Sequence, residues 1–298
     1  MSIHAPVARA HPVQNTFAYK MVAPAIAVLL LVAVFPLIYL LVVSFQGITM
    51  IDNSSDFVGL LNYRAILQDQ RLWQAVGHTL IFLGVALPIE LLLGLGMAQL
   101  FLNPMPGRQI MVGLLVLPVV ISPIVAGAIW SLMFDNRYGP INQVLGWIVG
   151  HDMPILWTIQ PELVYPTILV AEIWQWTPFM FLLLLAALAN VDKSQLEAAA
   201  IDGAGYWQIF FRIILPSIWP VMAIALLIRL LDLFRLFDVV WTLTQGGPGT
   251  MTETISIFTY NQGFRQFETS YTAAVALVIV VALSLLLMWA LKRVKLAR

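Results

Sequence analysis

Six stretches of the chain are apolar enough to cross a bilayer, and short polar pieces separate them. A helix crossing the ~30 Å hydrocarbon layer needs about 20 mostly apolar residues. Segments 21–45, 75–102, 109–134, 165–190, 214–242 and 270–291 meet that length. The pattern predicts an all-α polytopic membrane protein with six transmembrane helices. The first, third and sixth segments are free of charge. The second contains Glu90, the fourth Glu172, and the fifth Arg229, Asp232, Arg235 and Asp238. Residues 1–20 read as a polar tail. The run from Met21 to Ile51 is uncharged and exceeds the ~7–15-residue core of a signal peptide, so it is expected to remain as a span.

Composition agrees with the pattern and removes other classes. The 298 residues are 61% hydrophobic and only 10% charged, against about 25% charged in soluble domains. Too few charges are present to cover a soluble surface. The net charge is zero, so nothing points to nucleic acid, and the absence of cysteine removes disulfide and thiolate chemistry. His4, His11, His78 and His151 show no metal spacing, and no zinc-protease or serine-nucleophile pattern occurs. The glycine-rich run TQGGPG at 244–249 lacks the Lys-Ser or Lys-Thr of a phosphate loop. The chain is therefore not expected to be an enzyme.

Lysine and arginine set the orientation. With both termini in the cytoplasm, the inner pieces hold Arg9, Lys20, Arg108, Lys193, Arg212, Lys292, Arg293, Lys295 and Arg298, nine in all. The outer loops hold only Arg64, Arg71, Arg137 and Arg265. Cytoplasmic termini are expected, with 293–298 as a cytoplasmic tail, and the loop 192–216 then also faces the cytoplasm.

That loop changes character abruptly. Ser194 followed by Glu197 fits a capping box, and LEAAAI from Leu196 to Ile201 is rich in helix formers. Gly203 and Gly205 suit a helix stop. The expected product is a helix of about eight to ten residues, ~12–15 Å long, too short to span. A connecting helix lying at the interface is the plainest account of such a piece.

The positions Glu197, Ala198, Ala199, Gly203, Ile213, Leu215 and Pro216, read as EAA, three residues, Gly, nine residues, Ile, one residue, Leu-Pro, match with every spacing intact. The chain here resembles the permeases of binding-protein-dependent ABC importers, whose signature loop this is. WQWTPFMFLLLLAAL before the loop and FRLFDVVWTLTQGGPG after it resemble the branch importing sugars, polyols and glycerol phosphates. The likeness covers residue 21 onward, with the core permease domain at 75–292. It implies the type I ABC importer permease fold in a bacterial inner membrane. It also implies a second homologous permease subunit, two copies of a cytoplasmic ATPase, and an external solute-binding protein. ATP and Mg would be used by the ATPase partner, with no cofactor bound by this chain. Glu197, Ala198, Ala199, Asp202 and Gly203 would then contact the ATPase.

The intramembrane polar residues admit two readings. Four charges near a helix centre are too costly to face lipid, at ~2.5–3.5 kcal/mol each. Arg229, Asp232, Arg235 and Asp238 recur at i, i+3, which suits a self-neutralising ladder locking the fifth span. They equally suit one wall of a translocation cavity, with Glu172, Trp174, Gln175 and Trp176 of the fourth span as the other. Indoles also serve as interface anchors. Glu90 is expected to pair with another helix or the partner subunit. Thr252, Tyr260 and Asn261, in the loop after the fifth span, are candidates for contact with the binding protein. Two other classes stay open on the residues alone. An ion-coupled secondary transporter would be expected to show inverted repeats with broken helices, and no convincing repeat is visible. A non-transporting membrane scaffold would use the loop only for docking.

Overall fold

The structure, a computed structural model, describes residues 15–49 and 56–296. Arg9, His4 and His11 of the expected tail, and Arg298, lie outside the described residues. The chain runs through α1 (Asn15–Ser44), α2 (Leu61–Gln68), α3 (Gln70–Leu100), α4 (Arg108–Val120), α5 (Pro123–Met133) and α6 (Pro140–Val149). It continues through α7 (Pro161–Ala189), α8 (Lys193–Ile201), α9 (Tyr206–Ile209), α10 (Leu215–Phe234), α11 (Asp238–Leu243), α12 (Ile255–Tyr260) and α13 (Thr269–Leu296). No strand occurs among the described residues, only one isolated bridge between Gln46 and Phe57.

Five helical stretches are long and apolar enough to cross a membrane, and six if a bent pair counts as one span. That pair is α4 and α5, bent by 99°. The expectation of one continuous third span is corrected here. Pro123 cannot extend the helix before it and biases its neighbour to extended backbone. Ile121 and Ser122 accordingly take ψ of 136° and 137°. The fifth span is also discontinuous. It begins earlier than residue 214, at Tyr206, passes through a π-helical turn at Phe210–Ile214, and breaks between Phe234 and Asp238. The sixth helix continues to Leu296, through most of the expected tail.

Spans two and four form the centre. On α3 the buried positions Ala75, Thr79, Phe82, Ala86, Glu90, Gly94 and Ala98 recur every three or four residues, and most are small. Small residues let transmembrane backbones approach closely, where van der Waals packing replaces the hydrophobic drive of water. At Gly94 a methyl group would stand 2.6 Å from Cβ of Met180 and 2.9 Å from the Phe181 nitrogen. Gly94→Val is therefore expected to force α3 and α7 apart, lowering stability by about 1–3 kcal/mol or more through overpacking. Thermal unfolding of the purified subunit measures this, and an unchanged midpoint would contradict the packing described.

Helix α1 lies outside this bundle and packs mainly along α13, with 6% of its membrane window buried. Its exit is fixed by hydrogen bonds between Ile48 and Ser270, and by Asn62 Nδ2 donating to the carbonyls of Ser44 and Gln46. One apolar cluster, around Phe101, Phe181, Leu184 and Ile218, fills the end of the bundle near α8. A second, around Phe82, Phe134, Ile168 and Val240, fills the end near α6. Along α3, α7 and α10, the buried charges Glu90, Glu172 and Arg229 fall between those two apolar layers.

Candidate functional site

The two broken spans meet the buried charges. Arg229 on α10 is 1% exposed and donates from Nε and Nη2 to both oxygens of Glu90, at 2.8 and 2.7 Å. Nη2 also reaches Glu172 Oε1 at 2.9 Å. Its guanidinium lies 4.5 Å from the centre of the Trp176 ring. One cation thus ties spans two, four and five together at mid-depth. The ladder expected along the fifth span forms only between Arg235 and Asp232, at 3.0 Å. Arg229 turns away to the neighbouring helices, and Asp238 sits beyond the break, in no ion pair among the described residues.

Beside this triad opens a cleft of about 320 Å³, lined by Pro123, Glu172, Trp176, Arg229, Asp232, Arg235 and 236–239. Both helix breaks border it. Irregular backbone at membrane depth is tolerated where protein or a cavity satisfies its polar groups, and two side chains do so here. Gln175 Nε2 donates to the carbonyl of Ile121 at 3.0 Å, in the third-span break. Thr254 Oγ1 donates to the carbonyl of Leu236 at 2.8 Å, in the fifth.

Of the eight residues expected to wall a cavity, Glu172, Trp176, Arg229, Asp232, Arg235 and Asp238 line this cleft. Trp174 lies elsewhere, edge-on to Trp130 at 5.7 Å, and Gln175 is fully buried as a backbone partner. On a helix, residue 174 points away from the face shared by 172 and 176, while 175 sits at the flank of that face and turns to the third-span break. Pro123 belongs to the cleft as well.

The loop after the fifth span is folded into the protein. Thr252 is fully buried, bonded to the Gly247 carbonyl at 2.7 Å and the Thr244 hydroxyl at 2.8 Å, so it offers no surface to another protein. This corrects its placement as a contact candidate. Glu253, 2% exposed, pairs with Arg71 at 2.7 and 2.8 Å and accepts from Asn261 Nδ2 at 2.8 Å. Tyr260 packs between Phe237, Trp241 and Phe264. Tyr260 and Asn261 are half-buried, and the exposed stretch follows them at 264–268.

At the opposite end, α8 stands out from the bundle with no buried residue. Its N-cap is Asp192 rather than Ser194, whose hydroxyl and amide donate to Asp192 Oδ1 at 2.8 and 2.9 Å. Those bonds hold the Asp192 carboxyl below its usual range. The cap is charged at neutral pH, and its contribution is lost only as pH falls through that lowered value. The helix ends where expected. Gly203 takes φ +79°, its N–H reaches the Ala200 carbonyl at 3.1 Å, and the Ala204 N–H reaches Ala199 at 3.0 Å. This is the paired bonding of a Schellman stop. Glu197, Ala198 and Ala199 lie on the projecting helix, Asp202 is its C-cap, and Ile201 is 87% exposed. Gly205 N–H donates to Gln208 Oε1 at 3.0 Å and starts the return helix. No group of three or more metal-ligating side chains occurs among the described residues.

Residues 65–295 match the family model described as the binding-protein-dependent transport system inner membrane component. A relative in Sinorhizobium fredii, described as an ABC transporter permease, is 36% identical over 91% of this chain and 88% of its own length. The trehalose/maltose transport system permease protein MalF of Thermococcus litoralis is 34% identical over 82% of each chain. Among solved structures, a bacterial alginate ABC transporter in complex with an alginate pentasaccharide-bound periplasmic protein superposes with a TM-score of 0.79, at 26% identity over 93% of each chain.

Proposed function

We propose, from the premise that this chain belongs to the binding-protein-dependent transport system inner membrane components and is an ABC importer permease, that its cargo is a neutral, sugar-type solute. The chain has the type I importer permease fold, spans the membrane several times, and is not itself an enzyme. Hydrolysis of ATP resides in a separate subunit of the assembly.

The observation that carries the cargo reading is the cleft between the two broken spans. It offers an indole at Trp176 beside carboxylates at Glu172, Asp232 and Asp238. An aromatic face packs on the C–H surface of a sugar ring, while carboxylates accept from its hydroxyls. Of the charged side chains that line the cleft, the acids Glu172, Asp232 and Asp238 outnumber the bases Arg229 and Arg235 by one. That excess disfavours acidic saccharides. The relatives named for trehalose and maltose point to neutral sugars, whereas the alginate transporter imports an acidic polysaccharide, so the names agree on a saccharide and the cleft charge carries the neutral reading.

The termini and α8 face the cytoplasm of a bacterial cell, and α8 with its Gly203 turn fits a cleft of the ATPase. The assembly contains a second homologous permease, two ATPase copies using ATP and Mg, and an external binding protein. That binding protein meets the exposed stretch 264–268. This chain holds no cofactor. ATP-driven closure of the ATPases moves α8, and the return helix carries that motion into the fifth span, whose break borders the cleft.

Uptake by proteoliposomes holding the complete transporter tests this reading. Neutral disaccharides are expected to enter only with internal ATP and the binding protein present. Uptake driven by an ion gradient without ATP would overturn the importer mechanism. Preference for uronic-acid sugars over neutral ones would overturn the cargo assignment alone.

A further inference from the structure

Helix α6 has two unlike faces. Asn142 is 7% exposed, donates to the Ile155 carbonyl at 3.0 Å and accepts from Trp157 Nε1 at 2.7 Å. The Trp157 carbonyl in turn accepts from Thr167 on α7, and Ile141 and Trp157 pack against the buried cluster of Phe134 and Ile168. These contacts pin one face of α6 to the bundle. The other carries Val144, Trp147 and Ile148, at i, i+3, i+4, which are 54%, 85% and 67% exposed. No residue of the helix is charged.

Its position is constrained by its neighbours. Helix α5 ends at Met133 and α7 begins at Pro161, both belonging to membrane spans. Entry to α6 is a tight turn, closed by Gly139 N–H on the Asp135 carbonyl at 3.1 Å. The helix therefore lies where the spans leave the bilayer. The apolar exterior continues up to it from both sides, through Leu132 at 73% and Ile159 at 58% exposure. Tyr138, 80% exposed, sits beside the turn.

We infer that α6 is an interfacial helix whose partner is the lipid surface, with Val144, Trp147 and Ile148 at the boundary of headgroups and acyl chains. An uncharged stripe bearing an indole, with tyrosine nearby, is the composition that layer favours. The exposed charges Arg137 and Asp152 stand on the turns before and after α6 and none stands on the helix, which leaves the stripe itself apolar beside a wet edge, as at a membrane boundary. Seated there, α6 holds the ends of α5 and α7 at a fixed depth, so the break at Ile121–Pro123 works against an anchored half-span.

The native chain has no cysteine, so W147C carries a single environment-sensitive label. The complete transporter is reconstituted in vesicles of phosphatidylglycerol and phosphatidylethanolamine. Nitroxide lipids labelled near the headgroup are expected to quench the W147C label at least about twofold more than a D152C label on the exposed flanking turn. V144C repeats the measurement should W147C fail to assemble. Quenching by iodide but not by lipid would overturn the inference, as would protection from both quenchers, which marks a protein contact. A change that appears only with added binding protein would assign the stripe to that protein instead.

Discussion

Replacing Arg229 with methionine is expected to destabilise the subunit by about 3–5 kcal/mol, the range for breaking a buried ion pair from one side. Methionine fills much of the space but leaves Glu90 and Glu172 facing each other, both 3% exposed or less, without a cation. The bidentate bond to Glu90 and the stack on Trp176 are lost as well. The triple variant E90Q/E172Q/R229M removes every charge of the triad together. It is expected to recover most of that loss, since replacing a whole buried network with groups of similar size is often close to neutral. Thermal unfolding of detergent-purified complexes compares the variants. A single R229M variant as stable as the native protein would contradict the triad as a lock. Transport by the triple variant addresses the cleft separately. Lost uptake at recovered stability would place the charges in translocation, and retained uptake would limit them to holding spans two, four and five together.

Gly203→Val is expected to uncouple transport without removing the subunit from the membrane. A β-branched residue at φ +79° costs roughly 1–2 kcal/mol, because its Cβ crowds the neighbouring carbonyl. That corresponds to about a 5–30-fold loss in the population of the correctly ended helix. Nothing else near Gly203 obstructs a side chain, so the effect comes from the local backbone conformation and not from a tertiary clash. ATP hydrolysis stimulated by the binding protein, and uptake, are expected to fall by a similar factor at unchanged membrane levels. Gly203→Asn, which tolerates left-handed backbone better, should lose less. Equal activity of the valine variant would contradict coupling through this turn.

The loop of α8 was legible because its signals are local. Alanine-rich propensity, a glycine needing positive φ, and a fixed spacing up to Leu215-Pro216 all act within some twenty residues. The cap shows the limit of that reading. Asp192 and Ser194 both suit the role, and only the backbone path selected Asp192. The third-span break had a local sign in Pro123, whereas the fifth-span break at 235–237 contains neither proline nor glycine. It exists because a distant group satisfies the freed backbone, the Thr254 hydroxyl donating to the Leu236 carbonyl from eighteen residues away.

By itself the sequence determined how many stretches belong in lipid, the projecting short helix, and the kind of assembly the chain serves. These follow from composition, span length and spacing, which act over one or two helical turns or over a whole segment regardless of partners. The tertiary structure alone decided that Arg229 pairs across spans rather than along its own helix, that Gln175 supports a broken backbone, and that Thr252 faces inward. A charge or hydroxyl in a low-dielectric interior takes whichever partner is nearest in space, and that neighbour can lie 57 or 139 residues away, as Glu172 and Glu90 do from Arg229.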